Sequence, residues 1–164
     1  ISLDTMHPLI LHSSNTLEIY SVCTDVYIEL PYFPLGVSAG FPSPAVDFVE
    51  QSIELNSHLI DDPATTFFVR VKGESMLGDD INNGDLLVVD KSKEYSNGEI
   101  AVCYIDGEFT LKRINFIGKE CWLMPSNPKF DPIKLAQGDE LTVWGVVTYV
   151  IKDMRARRSQ KIKV

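Results

Sequence analysis

The sequence predicts a mainly β fold, antiparallel and partly closed, with a β arm at its N-terminal end. Short segments rich in β-branched and aromatic residues recur along the 164 residues, separated by Gly, Pro, Asn and Asp. Asp106-Gly107 stands between two apolar runs, a strong short-range hairpin signal. Helical periodicity is scarce, and no internal repeat is present. The length suffices for one domain with a real core, and a 45% hydrophobic composition suits a soluble globular chain.

Taken in order, residues 1–15 are mixed and turn-rich. Residues 17–22 and 26–30 alternate and read as two strands, with Cys23-Thr24-Asp25 turning between them. Such a two-stranded arm is marginal alone and needs a surface to pack on. Pro31, Pro34, Pro42 and Pro44 exclude helix and central strand from residues 31–44. The small residues Ser38, Ala39 and Gly40 lie in the middle of this segment. It reads either as a linker or as an extended substrate whose glycine lets a nucleophile approach the Ala39 carbonyl.

Residues 46–53 fit strand or helix. Asn56 is placed to cap a short helical turn that ends before Pro63. Residues 65–71 form a strand that delivers the chain to Gly73-Glu74-Ser75-Met76. A turn at 82–85 leads to a buried strand at 86–90 and a polar loop at 91–98. Residues 99–105 and 108–116 are the arms of the Asp106-Gly107 hairpin. In its second arm Thr110, Lys112 and Ile114 share one face, and Phe109, Leu111 and Arg113 the other. Residues 121–124 form a strand, 125–138 a loop with three prolines, and 141–151 a long strand in which Gly145 marks a bulge.

The charge is uneven within a net −8. The first 69 residues hold nine acids and no Lys or Arg, whereas residues 152–164 hold six basic residues and one acid. That tail reads as a solvated end, with weak contact to nucleic acid or an acidic partner as the alternative. The acidic body offers no DNA-binding surface, and no segment reads as a helix-turn-helix with a basic recognition helix. Cys23, Cys103 and Cys121 are odd in number and lack metal spacing, which predicts free thiols in a reducing cytoplasm and neither metal nor cofactor. No apolar run approaches the ~20 residues of a membrane span, and no charged leader precedes an apolar core. The chain opens on Ile1 rather than Met, so a preceding segment stays open.

The chemistry centres on Ser75. A serine hydroxyl is inert without a base, and none lies near it in sequence. Lys112, facing inward from a strand, could lose water and become a neutral base. A Ser-Lys pair is one of the convergent nucleophile–base arrangements. Glu74, Asp79, Asp80 and Asp85 read as solvated acids or turn formers, and His58 as a surface histidine.

Three stretches carry a family resemblance: FVRVKGESM at 68–76, NGDLLVVD at 83–90 and DGEFTLKR at 106–113. They resemble the self-cleaving domain of LexA and UmuD. GFPSPA at 40–45, VEQ at 49–51 and WGVV at 144–147 resemble UmuD in particular. The resemblance runs from about Phe33 to Arg155. It implies the LexA/UmuD-type autopeptidase fold, with Ser75 as nucleophile, Lys112 as general base and Ala39-Gly40 as the scissile bond. The 39 residues ahead of that bond exceed the short arm of UmuD and resemble the longer UmuD-like regulators found in Acinetobacter.

The implied function is a self-cleaving regulator of the DNA-damage (SOS) response. In that reading it is a repressor inactivated by cleavage, whose promoter-binding part precedes this chain. The alternative is an accessory subunit of an error-prone polymerase activated by the same cut. The implied partners are a second copy of the chain, the RecA filament on single-stranded DNA, promoter DNA and, in the alternative, that polymerase. The expected divisions are an arm at 1–32, a cleavage loop at 33–44, a catalytic and dimerisation domain at 45–153 and a basic tail at 154–164.

Overall fold

A computed structural model describes residues 9–22, 29–32, 51–136 and 141–155, with backbone alone for 29–32, 51 and 52. The expected turn at 23–25, the cleavage segment with Ala39 and Gly40, and the tail beyond 155 lie outside the described residues. In chain order the strands are β1 (Ile10–Ser13), β2 (Leu17–Ser21), β3 (Glu29–Tyr32), β4 (Gln51–Glu54), β5 (Thr66–Val71), β6 (Leu86–Asp90), β7 (Ile100–Ile105), β8 (Glu108–Ile117), β9 (Glu120–Met124), β10 (Ile133–Lys134) and β11 (Thr142–Ile151). One short helix, α1 (Leu55–Leu59), and a single 3-10 turn at Leu77–Asp79 complete the described elements.

Nine strands form one antiparallel sheet in the order β1-β2-β5-β6-β11-β7-β8-β9-β10, and β3 pairs with β4 in a second, two-stranded sheet. The large sheet curls. β2 and β8 are five positions apart, roughly 24 Å in a flat sheet. Yet Thr16 Oγ1, at the start of β2, donates to the Phe109 carbonyl of β8 at 2.9 Å. The expected antiparallel, partly closed β fold is what forms.

Side-chain alternation divides the packing in two. Leu17, Ile19, Val69, Val71, Leu87, Val89, Val102 and Leu111 bury one cluster with Met76 and Ile81. Ala101, Cys103, Ile114 and Leu123 bury another. Lys112 is directly opposite Ala101 across β7 and β8, so it stands on the second cluster's face.

Asp106 and Gly107 join β7 to β8 with φ of 48° and 87°. Both angles are positive, as a two-residue turn matched to strand twist requires. The Gly145 expectation also holds: Val143 is opposite Cys103 and Gly145 opposite Val102, so Trp144 is the extra residue of a bulge.

Three local readings are corrected. Leu17–Ser21 does not pair with the strand that follows it; it lies between β1 and β5, so both of its edges are taken. Turn signals are local, and they are outweighed here by burial of Leu17 and Ile19 against β5 and β6. Ile10–Ser13 is a strand despite its weak alternation, because Leu9, Ile10 and Leu11 all stay exposed at the sheet edge. The cap of α1 is Glu54, not Asn56: its carboxylate accepts from the Asn56 and Ser57 N–H groups at 3.0 and 2.6 Å. No helix among the described residues is long and apolar enough to cross a membrane.

Candidate active site

The Ser75 turn is built by what precedes and follows it. β5 ends at Val71 inside the core, and Met76, 2% exposed, plugs the same core one residue after Ser75. With both neighbours anchored inward, the intervening residues 73–75 turn over the sheet end. Ser75 is half-buried, and Gly73 and Glu74 are exposed. The turn is tied from outside as well. The Ser126 N–H donates to the Ser75 carbonyl at 2.8 Å, and the Gly78 N–H donates to the Ser126 carbonyl at 2.6 Å. Asn127, itself buried, donates from Nδ2 to the Glu74 carbonyl at 2.7 Å. This approach is close enough to require glycine: a Cβ at Gly78 would lie 2.5 Å from Ser126 Oγ.

Lys112 arrives from the other direction. The Asp106-Gly107 hairpin sets the register of β8, and period-2 alternation turns Lys112 and Thr110 to the same side. The Lys112 Nζ lies 3.3 Å from Ser75 Oγ, 2.7 Å from Thr110 Oγ1 and 3.0 Å from the Leu111 carbonyl. Lys112 is 7% exposed. Burial pulls its pKa below the ordinary lysine value, with the Cys103 thiol pushing weakly the other way. Cys103 cannot serve as counter-ion: burial pushes its own pKa up to about 12. Among the described residues, no carboxylate pairs with Lys112.

Three contacts suit a neutral amine. The Leu111 carbonyl only accepts, so it takes one N–H. Thr110 Oγ1 accepts the second. In the neutral amine the lone pair would then be left toward Ser75 Oγ, the orientation proton removal requires; in the ammonium, Nζ donates to all three acceptors. Thr16, Val71, Lys72, Thr110, Leu111 and Phe130 line the cleft with this pair; its volume is about 210 Å³. A second lysine, Lys72, lines it too, ion-paired to Glu18 at 2.7 Å. A larger cavity of about 440 Å³ lies away from the pair, between Leu59, Asp90, Glu99 and Tyr149.

The structure thus brings Ser75 and Lys112 together, and Ala39 and Gly40 fall outside what it describes. Thr110 was legible only as a face-mate of Lys112. Ser126 and Asn127 left no signal, since Asn127 meets Glu74 from 53 positions away. Cys103 and Cys121 are both free thiols.

Comparison with known proteins identifies the family. The family model described as Peptidase S24-like matches residues 31–148. Protein ImpA of Salmonella typhimurium is 41% identical over 140 residues, covering 82% of this chain and 90% of that protein. Protein MucA of Escherichia coli is 40% identical over 122 residues, covering 74% and 83%. The LexA repressor of Acidothermus cellulolyticus is 38% identical over 116 residues, covering 71% of this chain but 41% of the repressor. A family model matched over residues 31–148, with relatives 40–41% identical over most of their own length, places the chain in the S24-like peptidase family, the self-cleaving serine peptidases of UmuD and LexA type.

Proposed function

We propose that this chain cuts its own Ala39-Gly40 bond, with Ser75 as nucleophile and Lys112 as general base, and that the cut serves the response to DNA damage. The observation that carries the reading is the 3.3 Å contact between Ser75 Oγ and a lysine Nζ that is buried without a carboxylate partner. Neutral Lys112 takes the Ser75 proton as Oγ bonds to the Ala39 carbonyl carbon. The C–N bond to Gly40 then breaks, and the Lys112 ammonium protonates the departing nitrogen. Water next adds to the Ser75 ester: Lys112 takes one of its protons and hands that same proton to Ser75 Oγ as the ester C–O bond breaks, and the other proton leaves with the new Ala39 carboxyl group. One water is consumed and the enzyme groups are restored. The backbone N–H groups of the Ser75 turn are the candidate oxyanion donors.

The test is intact mass against time for wild type, Ser75→Ala and Lys112→Ala, at neutral pH and near pH 10. Wild type is expected to split into residues 1–39 and 40–164, faster at high pH, and both variants to stay whole. Cutting that persists without Ser75 would sink the proposal.

In the first functional reading, a homodimeric repressor is inactivated by cleavage that a RecA filament on single-stranded DNA stimulates. The LexA match supports it. The second reading is an accessory subunit of an error-prone polymerase. The coverage favours that reading: the match spans 90% of ImpA but 41% of the LexA repressor. Promoter binding by the full-length protein separates the two, since a polymerase subunit has no need of it.

A further inference from the structure

The proposed scissile bond lies between Tyr32 and Gln51, and two separate ladders join the chain across it. β3 pairs with β4 from Glu29↔Glu54 to Tyr32↔Gln51. β2 pairs with β5 from Leu17↔Val71 to Ser21↔Phe67. In each ladder one strand precedes residue 39 and the other follows residue 40. β2 is also core: Leu17 and Ile19 are each 1% exposed, packed with Val69, Val71 and Leu87. The turn before it grips the cleft. The Lys72 N–H donates to the Thr16 carbonyl at 2.8 Å, Lys72 Nζ donates to the Ser14 carbonyl at 3.1 Å, and Thr16 Oγ1 donates to the Phe109 carbonyl at 2.9 Å. Glu18, on the opposite face of β2 from the two core residues, pairs with Lys72 at 2.7 Å.

We propose that the edges of β5 and β4, with the core groove beside β5, are a binding surface whose occupant is residues 1–39 of this same chain as a separate polypeptide. The inference rests on the Ala39-Gly40 reading for the position of the cut. Hydrolysis breaks one peptide bond, and the described rungs of both ladders involve other residues, 17–21 with 67–71 and 29–32 with 51–54. The immediate product is therefore a nicked, two-chain β domain rather than free 40–164. Loss of the N-terminal piece is a second event, the withdrawal of β2 from a formed sheet, and it is slower than a freely dissociating tail. Until then Thr16 still walls the cleft in which the cut was made.

The test begins with full-length protein allowed to self-cleave until intact mass shows both pieces. Native size exclusion at about 1 μM, where only tighter binding keeps partners together, is expected to show co-elution at one to one, with separation only in denaturant. In parallel, a full-length Ser75→Ala chain carrying a protease recognition sequence between Ser38 and Ala39 is nicked from outside. If wild type stays whole while these nicked pieces co-elute, the cleavage reading fails and the binding surface stands. If the pieces part at about 1 μM in either sample, the binding surface is overturned. Ile19→Ala, introduced in the nicked chain, is expected to speed release by at least about tenfold; an unchanged release rate would overturn the role given to β2.

Discussion

At the scale of single residues, the site is a problem of where one proton sits. An exposed lysine near its ordinary pKa of about 10.4 is almost wholly charged at neutral pH. Burial lowers that value for Lys112. The cleavage rate is therefore expected to rise with pH through the lowered pKa and then level off, followed by intact mass across a pH series. The same burial has a stability cost of defined sign. Below the folded-state pKa the charge is buried in full; above it the folded state sheds the proton while the unfolded chain still holds it. Lys112→Met is accordingly expected to stabilise the fold at neutral pH, with the advantage over wild type shrinking as pH climbs toward 10. Urea unfolding of the pair at several pH values reads this difference. Thr110→Val removes the hydroxyl that takes one amine hydrogen. Losing one such orienting bond is expected to slow cleavage about ten- to a hundredfold, with unfolding midpoints close to wild type.

At the scale of elements, Ser75, the proposed nucleophile, is held by its neighbours. Asn127→Ala frees the Glu74 carbonyl and is expected to cost about 1–3 kcal/mol, measured by urea unfolding, together with slower cleavage. Gly78→Ala drives a Cβ into Ser126 and should be comparable, about 1–3 kcal/mol of overpacking. These elements also show what a sequence can reveal. The β7–β8 hairpin was legible because Asp106-Gly107 is a local signal for a local pairing, and alternation from that turn alone puts Lys112 and Thr110 on one side. β2 was legible as a strand but not in its pairing. Its partner lies some fifty residues on, and nothing near Leu17 distinguishes β5 from the closer strand that the sequence predicts at 26–30. The Ser126–Asn127 brace was illegible too: Ser126 bonds through backbone groups that every residue possesses, and the Asn127 side-chain amide reaches Glu74 from 53 positions away.

At the scale of the molecule, the N-terminal strands belong to the domain that does the cutting. Ile19→Ala in the uncut chain is expected to cost about 2–5 kcal/mol, as for other fully buried aliphatic side chains, and denaturant unfolding would show it. A tail merely attached to a finished domain would show almost nothing. The reach of the contacts across the chain has one more consequence, in the order of synthesis. A ribosome makes the proposed scissile bond first, Ser75 next and Lys112 another 37 positions later, and domains form as they emerge. Until β8 has been made and folded back onto β7, the nascent chain carries a serine with no base. On the proposed mechanism the nascent chain therefore cannot cut itself before Lys112 has been made and brought to Ser75.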